Sequence, residues 1–282
     1  VAVDSTGANA AMLGSYADTG VTYGVLLKYT SAGVLSWQRR FTLGSGTLVT
    51  MNSTVGASTG PVFDSSGNIY VSMSMTNSTN YDVYVLKYNS TGTLQWQRRI
   101  TLAGSNVTTG RLAVDSSANV YVAMGAGVFK YNTSGTLQWK VTTTGAGAAG
   151  ITTDPSGNVY VCSAGTGAIL AVYSLDSTGA LLWSNQIKLT SSVIQSVNPG
   201  GLSYNSTLTT VVGCIYAATT PTYALTYSVP TDGSLTGSSV TVGSNTITYN
   251  TLTASVATST YTDALGLLTE SAGTAVDAAG TR

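Results

Sequence analysis

A nine-residue phrase occurs four times in this chain of 282 residues. Each copy begins with Tyr or Leu, continues with three small residues and a glycine, and has a leucine two residues and a tryptophan four residues after that glycine. The copies occupy residues 29–37, 88–96, 131–139 and 175–183 and contain every tryptophan of the protein, namely Trp37, Trp96, Trp139 and Trp183. Self-similarity at a period of a few tens of residues indicates a repeat architecture, in which each unit buries its apolar face by stacking on its neighbours.

A second phrase precedes each copy and begins with an aspartate. The Asp is followed by two residues drawn from Ser, Thr and Pro, then by Gly or Ala, and in three of the four copies directly by Asn. These aspartates are Asp4, Asp64, Asp115 and Asp154. An Asp side chain can bond the backbone two residues on, and Gly or Asn tolerates a positive φ, so the phrase predicts a hairpin turn. Ala118 replaces the glycine in one repeat, which predicts that Asn119 takes the left-handed position or that the turn shifts by a residue.

Calcium binding is the alternative for these aspartate loops, because hard cations prefer oxygen ligands. Each loop supplies only one carboxylate, however, so the pattern favours simple Asx turns and predicts no metal site.

Short β-rich runs lie between the turns. Each unit reads as four strands: an apolar strand ending in Asp, a Tyr-Val strand, a Lys-Tyr strand and a Trp-Gln strand. An antiparallel four-stranded meander repeated radially is a propeller blade. We therefore predict an all-β fold, a β-propeller of four-stranded antiparallel blades, with about five blades in this segment, four of them clear and one degenerate.

The repeats divide the chain, which we expect to form a single propeller region over residues 1–282. Clear repeats are expected at 1–60, 61–111, 112–150 and 151–201, and a divergent blade or β region at 202–282. In the divergent part Val229–Gly233 stands for the second turn, and the tryptophan expected near residue 237 is missing. Residues 274–280 repeat the pattern of residues 1–7, so we expect an internal piece of a longer chain.

Composition excludes several classes of function. Lys and Arg number 11 and Asp and Glu number 11, so the net charge is zero and lacks the basic footprint of a nucleic-acid or anionic-membrane binder. No run approaches the ~20 apolar residues of a membrane-spanning helix. Histidine is absent, which removes the commonest metal ligand. Cys162 and Cys214 are predicted to be small buried hydrophobes, with a bridge between them geometrically conceivable.

Two further residue patterns admit two interpretations each. The pairs Arg39-Arg40 and Arg98-Arg99 follow Trp-Gln in two repeats, and a solvated outer strand that blunts edge pairing is favoured over an anionic-ligand site. Tyr70, Tyr121 and Tyr160 recur at one strand position, which favours packing between blades over a sugar-stacking platform.

The Ser-Thr-Gly-x-Leu-x-Trp phrase resembles the tryptophan-docking motif of quinoprotein-type propellers. The complete pattern is still more similar to bacterial and phage β-propeller repeats, over residues 1–190 well and over 191–282 poorly. The resemblance implies that the four tryptophans pack between neighbouring blades as structural residues. A quinone-dependent dehydrogenase would need a cofactor pocket, a calcium site with a catalytic carboxylate and, in many members, adjacent cysteines. The sequence contains none of these patterns, so we predict no catalytic residue, no cofactor and no enzyme.

These observations lead to a functional hypothesis of a non-enzymatic structural or attachment protein, a phage virion component of the tail or surface. Its expected partners are other virion proteins or a host-surface glycan or protein, and its expected location is the virion surface or the extracellular space. The alternative is a secreted or cell-surface bacterial adhesin that binds glycans through loop tyrosines such as Tyr81 or Tyr223. A quinoprotein-type oxidoreductase is the remote alternative.

Overall fold

The described part of the chain is built of β-strands and turns. The computed structural model describes residues 1–18, 21–43, 60–77, 80–101, 110–125, 127–143, 146–164, 169–190, 197–207, 210–217, 223–234, 238–242, 245–251, 256–258, 262–265 and 268–272. Within these ranges there is no helix that could cross a lipid bilayer. The contacts group the chain into two compact units, which are described separately below: residues 1–109 with 261–282, and residues 110–260.

The first unit contains sheets 1 and 2, each an antiparallel meander of four consecutive strands. Sheet 1 consists of β1 (Ala2–Val3), β2 (Asn9–Asp18), β3 (Val21–Thr30) and β4 (Leu35–Leu43). Sheet 2 consists of β5 (Val62–Phe63), β6 (Ile69–Asn77), β7 (Asn80–Tyr88) and β8 (Leu94–Thr101). In both sheets the aspartate turn joins the first two strands, and the turn of the tryptophan phrase joins the last two.

The second unit contains two more four-stranded meanders and a three-stranded sheet. Sheet 3 consists of β9 (Arg111–Val114), β10 (Val120–Met124), β11 (Gly127–Tyr131) and β12 (Leu137–Thr143). Sheet 4 consists of β13 (Ala146–Thr153), β14 (Val159–Ala164), β15 (Ile169–Leu175) and β16 (Leu181–Thr190). Sheet 5 consists of β17 (Val197–Asn205), β18 (Thr210–Ala217) and β19 (Tyr223–Pro230). The predicted all-β fold of four-stranded antiparallel sheets, with a degenerate fifth, is confirmed.

Five described strands follow sheet 5, and four of them pair with the outermost strand of an earlier sheet. These strands are β20 (Ser238–Val242), β21 (Asn245–Thr251), β22 (Val256–Thr258), β23 (Thr262–Leu265) and β24 (Leu268–Ala272). In the second unit β21 pairs with β16 and β22 with β12; in the first unit β23 pairs with β8 and β24 with β4. All four pairings are antiparallel and occupy the edge that a four-stranded blade leaves open.

Local hydrogen bonds explain why the aspartate phrase forms a turn. In sheet 2 the Asp64 amide donates to the Asn68 carbonyl and the Gly67 amide donates to the Asp64 carbonyl. Sheet 3 has the same two bonds around Asp115, and the residue at the glycine position, Ala118, has a φ of 58°. The expectation that Asn119 or a shifted turn would replace the glycine is therefore wrong, because the closing bonds hold the register and place alanine itself in the left-handed region.

Apolar side chains fill the space between successive sheets within each unit. In the first unit the cluster includes Leu26 and Phe41 from sheet 1 and Val71, Met73 and Leu86 from sheet 2, all at 1% exposure or less. The second unit has an equivalent cluster between sheets 3 and 4, with these members: Ala113, Tyr121, Ala123, Val128, Ile151, Val159, Val161, Ala171, Tyr173 and Leu175. A sheet that presents apolar side chains on both faces is stable only when it is stacked.

Replacing Ala118 by glycine is expected to stabilise the protein. Alanine at a φ of 58° carries a left-handed strain of about 1 kcal/mol that glycine does not have. We expect Ala118→Gly to raise the free energy of unfolding by about that amount, less the entropy glycine adds to the unfolded chain. Urea unfolding at equilibrium measures the change. Gly67→Ala, at the equivalent turn of sheet 2, is the reverse control; equal stability of all three proteins would contradict the assignment of strain.

Candidate functional site

The aromatic residues singled out by the repeats lie in one row across each sheet. In sheet 2 Tyr70 on the second strand pairs in register with Lys87 on the third, which pairs with Trp96 on the fourth. The ring centroids of Tyr70 and Trp96 are 6.1 Å apart, and the Lys87 ammonium lies 5.2 Å from the Tyr70 ring centre. The equivalent rows are Tyr121, Lys130 and Trp139 in sheet 3, Tyr160, Ser174 and Trp183 in sheet 4, and Ala11, Lys28 and Trp37 in sheet 1.

Sheet 1 docks on sheet 2 through the tryptophan of this row. The Trp37 indole Nε1 donates a hydrogen bond of 3.1 Å to the Ser90 carbonyl, and the Lys28 ammonium donates one of 2.9 Å to the same oxygen. Two residues beyond Ser90, a Cβ on Gly92 would lie 2.7 Å from the Trp37 ring. The Gly92 carbonyl accepts from the Arg39 guanidinium at 2.7 Å. The second turn of sheet 2 therefore accepts hydrogen bonds from side chains on β3 and β4 of sheet 1.

Sheets 3 and 4 are joined by the equivalent hydrogen bonds. Trp139 donates through Nε1 to the Ser177 carbonyl at 2.9 Å, and the Lys130 ammonium donates to that carbonyl at 3.0 Å. A Cβ on Gly179 would lie 3.0 Å from the Trp139 ring. The contact between sheets 1 and 2 and the contact between sheets 3 and 4 thus have the same arrangement of Trp, Lys, Ser and Gly.

A third joint connects sheet 4 to the divergent sheet 5. Trp183 donates through Nε1 to the Thr231 carbonyl at 2.7 Å, and a Cβ on Gly233 would lie 2.7 Å from the Trp183 ring. The buried Asn185 amide donates to the Gly233 carbonyl at 3.0 Å. Sheet 5 therefore retains the acceptor elements of a repeat although it has no tryptophan of its own.

Each aspartate turn is tied to the same row through a tyrosine. One oxygen of the Asp64 carboxylate accepts from the Ser66 and Asn68 amides, and the other accepts from the Asn68 side chain at 2.8 Å and the Tyr70 hydroxyl at 3.0 Å. The turns of Asp115 and Asp154 repeat all four bonds, with these partners: Ser117, Asn119 and Tyr121, and Ser156, Asn158 and Tyr160. These carboxylates accept four hydrogen bonds each, as expected of closed Asx turns.

Burial and these hydrogen bonds shift the pKa values of several turn residues. Burial, and after it the nearby Asp115 carboxylate, raises the pKa of the Tyr121 phenol. Burial and the hydrogen bond to Asp154 raise the pKa of Tyr160 in the same way. Asp4 lacks the tyrosine, since Ala11 occupies its position, and the hydrogen bond from the Asn9 side chain lowers the pKa of Asp4 to about 2. The phenols of Tyr121 and Tyr160 thus stay protonated as donors, and the Asp4 carboxylate stays ionised as an acceptor.

The arginine pairs do not form a solvated outer edge. The backbone of β24 pairs with Arg39 and Arg40, and that of β23 pairs with Arg98 and Arg99, so both edges are covered. The interpretation of these arginines as blockers of edge pairing is therefore wrong, because the chain itself supplies the next strand. Arg99 forms an ion pair of 2.6 Å with Asp82, whose side chain is 1% exposed.

The remaining predicted residues lie apart from this row. Cys162 is buried, as predicted, and packs beside Gly150, where an added Cβ would meet its sulfur at 2.8 Å. The side chains of Cys214, Tyr81 and Tyr223 lie outside the described residues. Within the described ranges no group of three or more His, Cys, Asp or Glu side chains could hold a metal ion.

No family model matches the chain, and no curated protein matches it in sequence. Solved structures that are similar to it include a puromycin hydrolase, at 13% identity and a TM-score of 0.46 over 79% of this chain and 34% of the hydrolase. Another is a protein of unknown function from Bacteroides caccae, at 12% identity and a TM-score of 0.41 over 81% of this chain and 74% of that protein. The chain thus spans about a third of the hydrolase.

The glycine beneath the indole is expected to be more sensitive than a glycine in an open turn. Gly92 and Gly67 have φ values of 81° and 76°, so alanine is strained equally at both. A Cβ meets the Trp37 ring at 2.7 Å at Gly92 but only the Ser90 Cβ at 3.7 Å at Gly67. We expect Gly92→Ala to lower the free energy of unfolding by about 2 kcal/mol more than Gly67→Ala, measured by urea unfolding. Equal losses would show that the indole does not depend on a bare backbone at Gly92.

Removing Arg99 is expected to destabilise the fold in a pH-dependent manner. Arg99→Met leaves the buried Asp82 carboxylate without its counter-charge, at a cost of about 3 kcal/mol near pH 7. Burial already raises the pKa of Asp82, and losing Arg99 raises it further, so the stability difference from wild type is largest at high pH and shrinks as pH falls and Asp82 is protonated. Unfolding at pH 4 and pH 7 measures it. Arg98→Met, on the opposite face of β8, is the matched control; a loss independent of pH would contradict the role of the carboxylate charge.

Proposed function

We propose that this protein is a non-enzymatic structural or attachment protein of a phage virion, a tail or surface component that works outside the cell. Its partners in this proposal are other virion proteins or a glycan or protein of the host surface. The resemblance of the repeats to phage and bacterial propeller repeats motivates the virion assignment.

One observation supports the non-enzymatic part of the proposal. The ionisable side chains of the repeats form hydrogen bonds that hold the turns and sheets together. The carboxylate of Asp64 accepts four hydrogen bonds within its own turn and sheet, and the hydroxyl of Tyr70 donates to it. Lys28 and Trp37 share one acceptor in the next sheet. A catalytic acid, base or nucleophile must instead change partners during a reaction, so this use of the residues favours a scaffold.

The glycan-binding adhesin remains as a second candidate because of an aromatic cluster at one end of sheet 1. Tyr16 and Tyr23 are stacked, with ring centroids 5.4 Å apart, and the Arg40 guanidinium lies 4.4 Å from the Tyr23 ring centre. Both tyrosine side chains are partly exposed. Sugars bind aromatic faces flanked by hydrogen-bond donors, and this cluster offers both.

Fractionation of phage particles tests the proposal. Particles are purified by density gradient from a culture that produces this protein, and an antibody raised against the full chain is used to probe particles and cleared lysate. We expect the protein to band with intact particles, to resist removal by high salt, and to be labelled on the particle surface by immunogold. A cytoplasmic host enzyme assayed in the same fractions controls for carry-over.

Detection only in cleared lysate would overturn the virion assignment. Detection on the bacterial surface, with glycan-array binding that Tyr23→Ala abolishes, would replace it with the adhesin. Tyr23→Phe keeps the aromatic ring and serves as the matched variant.

A further inference from the structure

Four consecutive strands of the chain add to the outer strands of sheets 4, 3, 2 and 1, in that order. These strands, β21–β24, are here called the strap, and they pair with β16, β12, β8 and β4 respectively. The strap strands contain no tryptophan and have no phrase in common. What they share is therefore the place at which they bind, and not their sequence.

Each strap strand covers the same part of its outer strand. In all four sheets the pairing begins two residues after the tryptophan and continues to the last residue of the outer strand. The covered stretches are Arg39–Leu43, Arg98–Thr101, Val141–Thr143 and Asn185–Thr190. Because the strap sequences differ and the covered stretch does not, the reason for the cover lies in the outer strands.

The uncovered part of each outer strand contains a β-bulge. Between β3 and β4 the register shifts so that Ser36, one position before Trp37, is an extra residue. The extra residues of the other three outer strands are Gln95, Gln138 and Leu182, and all four are exposed. A bulge disrupts the hydrogen-bonding ladder and so protects an edge from pairing with another chain. The strap covers the regular stretch, which has neither a bulge nor a proline.

The strap also shortens the edge that each sheet presents. The outer strands of sheets 1–4 are 9, 8, 7 and 10 residues long. With the strap in place, the outermost described strands are β24, β23, β22 and, beyond β21, β20, with 5, 4, 3 and 5 residues. Very short edge strands are one of the ways in which natural sheets avoid edge-to-edge association. The strap therefore replaces four long edges by four short ones.

The strap is held less firmly than the strands to which it adds. It pairs over three to six residues in each sheet, whereas β6 and β7 pair over nine. The residues that dock sheet 1 on sheet 2, among them Trp37, Ser90 and Phe41, belong to those sheets themselves. Local opening requires the least free energy where the fewest residues pair. The strap therefore opens at a lower free energy than the sheets.

We propose that the strap is a releasable cap on an interaction surface, the covered stretches of β4, β8, β12 and β16, and that the partner of this surface is a second copy of the chain. Release of the strap frees the backbone N–H and C=O groups of these stretches, and the outer strands of two copies then pair antiparallel. The net charge of zero leaves no overall repulsion between copies. This inference concerns self-association and does not rest on the proposed virion function.

Hydrogen exchange of the full, 15N-labelled chain tests the release. We expect the amides of β21–β24 to exchange at least about 100-fold faster than those of β6 and β7, because the strap opens without the sheets. Equal protection of the strap and of β6 and β7 would overturn the claim that the strap opens separately.

Prolines in the strap test the interaction surface. Thr248→Pro with Tyr249→Pro in β21, and Thr269→Pro with Glu270→Pro in β24, are combined in one full-length protein. Successive residues of a strand direct their amides to opposite edges, so each adjacent pair of prolines removes a hydrogen bond to the outer strand. We expect this proline variant to sediment as dimers or larger species at concentrations at which the wild type is monomeric.

An alanine variant at the same four positions keeps every backbone amide and is expected to sediment as the wild type does. Its changes are Thr248→Ala, Tyr249→Ala, Thr269→Ala and Glu270→Ala. Tryptophan fluorescence reports whether the sheets stay stacked, because the indoles of Trp37, Trp139 and Trp183 are docked between them. We expect the emission of both variants to match that of the wild type.

Three results would overturn the proposal. Sedimentation of the proline variant no faster than that of the wild type would show that the covered stretches do not associate. Equal association of the alanine variant would show that association does not depend on strap pairing. A red-shifted tryptophan emission of the proline variant would show that the sheets need the strap to stay folded, so that the strap is no releasable cap.

Discussion

The docking of an indole on a bare backbone is the interaction on which the stacking of these sheets depends. Covering half of an indole surface of about 200 Å² corresponds to about 2–3 kcal/mol, whereas its single hydrogen bond contributes about 1 kcal/mol. Apolar burial therefore provides most of the stability of a joint. The N–H of Trp37 has a different effect, because its directional hydrogen bond to the Ser90 carbonyl fixes how sheet 1 sits against sheet 2.

The turns and the joints form one continuous structure rather than two separate motifs. The Asp64 carboxylate holds the Tyr70 hydroxyl, the Tyr70 ring packs against Trp96 across the sheet, and Lys87 lies between them. A chain with only 8% charged residues has few ion pairs with which to order its surface. Hydrogen bonds from backbone amides, an Asn side chain and a phenol satisfy the carboxylate instead, and they connect the turn to the interior of the sheet.

The sequence predicts the parts of this architecture that depend on neighbours along the chain. Turn aspartates, strand order and the four-stranded meander follow from spacing and alternation, because hairpin pairing is local. Ala118 was misread because residue preference alone disfavours alanine at a positive φ, and the closing bonds of the turn override that preference. The strands over 245–272 were not predicted as edge partners, since nothing in a polar, Thr-rich strand encodes which distant edge it joins, and the arginines beside those edges were misread for the same reason.

The divergent sheet 5 shows that the donor and acceptor halves of a joint are separable. It keeps Thr231 and Gly233 and receives Trp183, yet Gly237 stands where its own tryptophan would be. Its three strands are β17–β19, and the next strand, β20, pairs with β21 in sheet 4. Among the described residues, sheet 5 thus has no outer strand to carry a donor, and the sequence has no tryptophan at that position. A sheet can therefore accept the tryptophan of its neighbour without having a tryptophan of its own. The accepting carbonyl and the glycine under the indole both belong to the turn that follows the third strand, so they do not depend on a fourth strand.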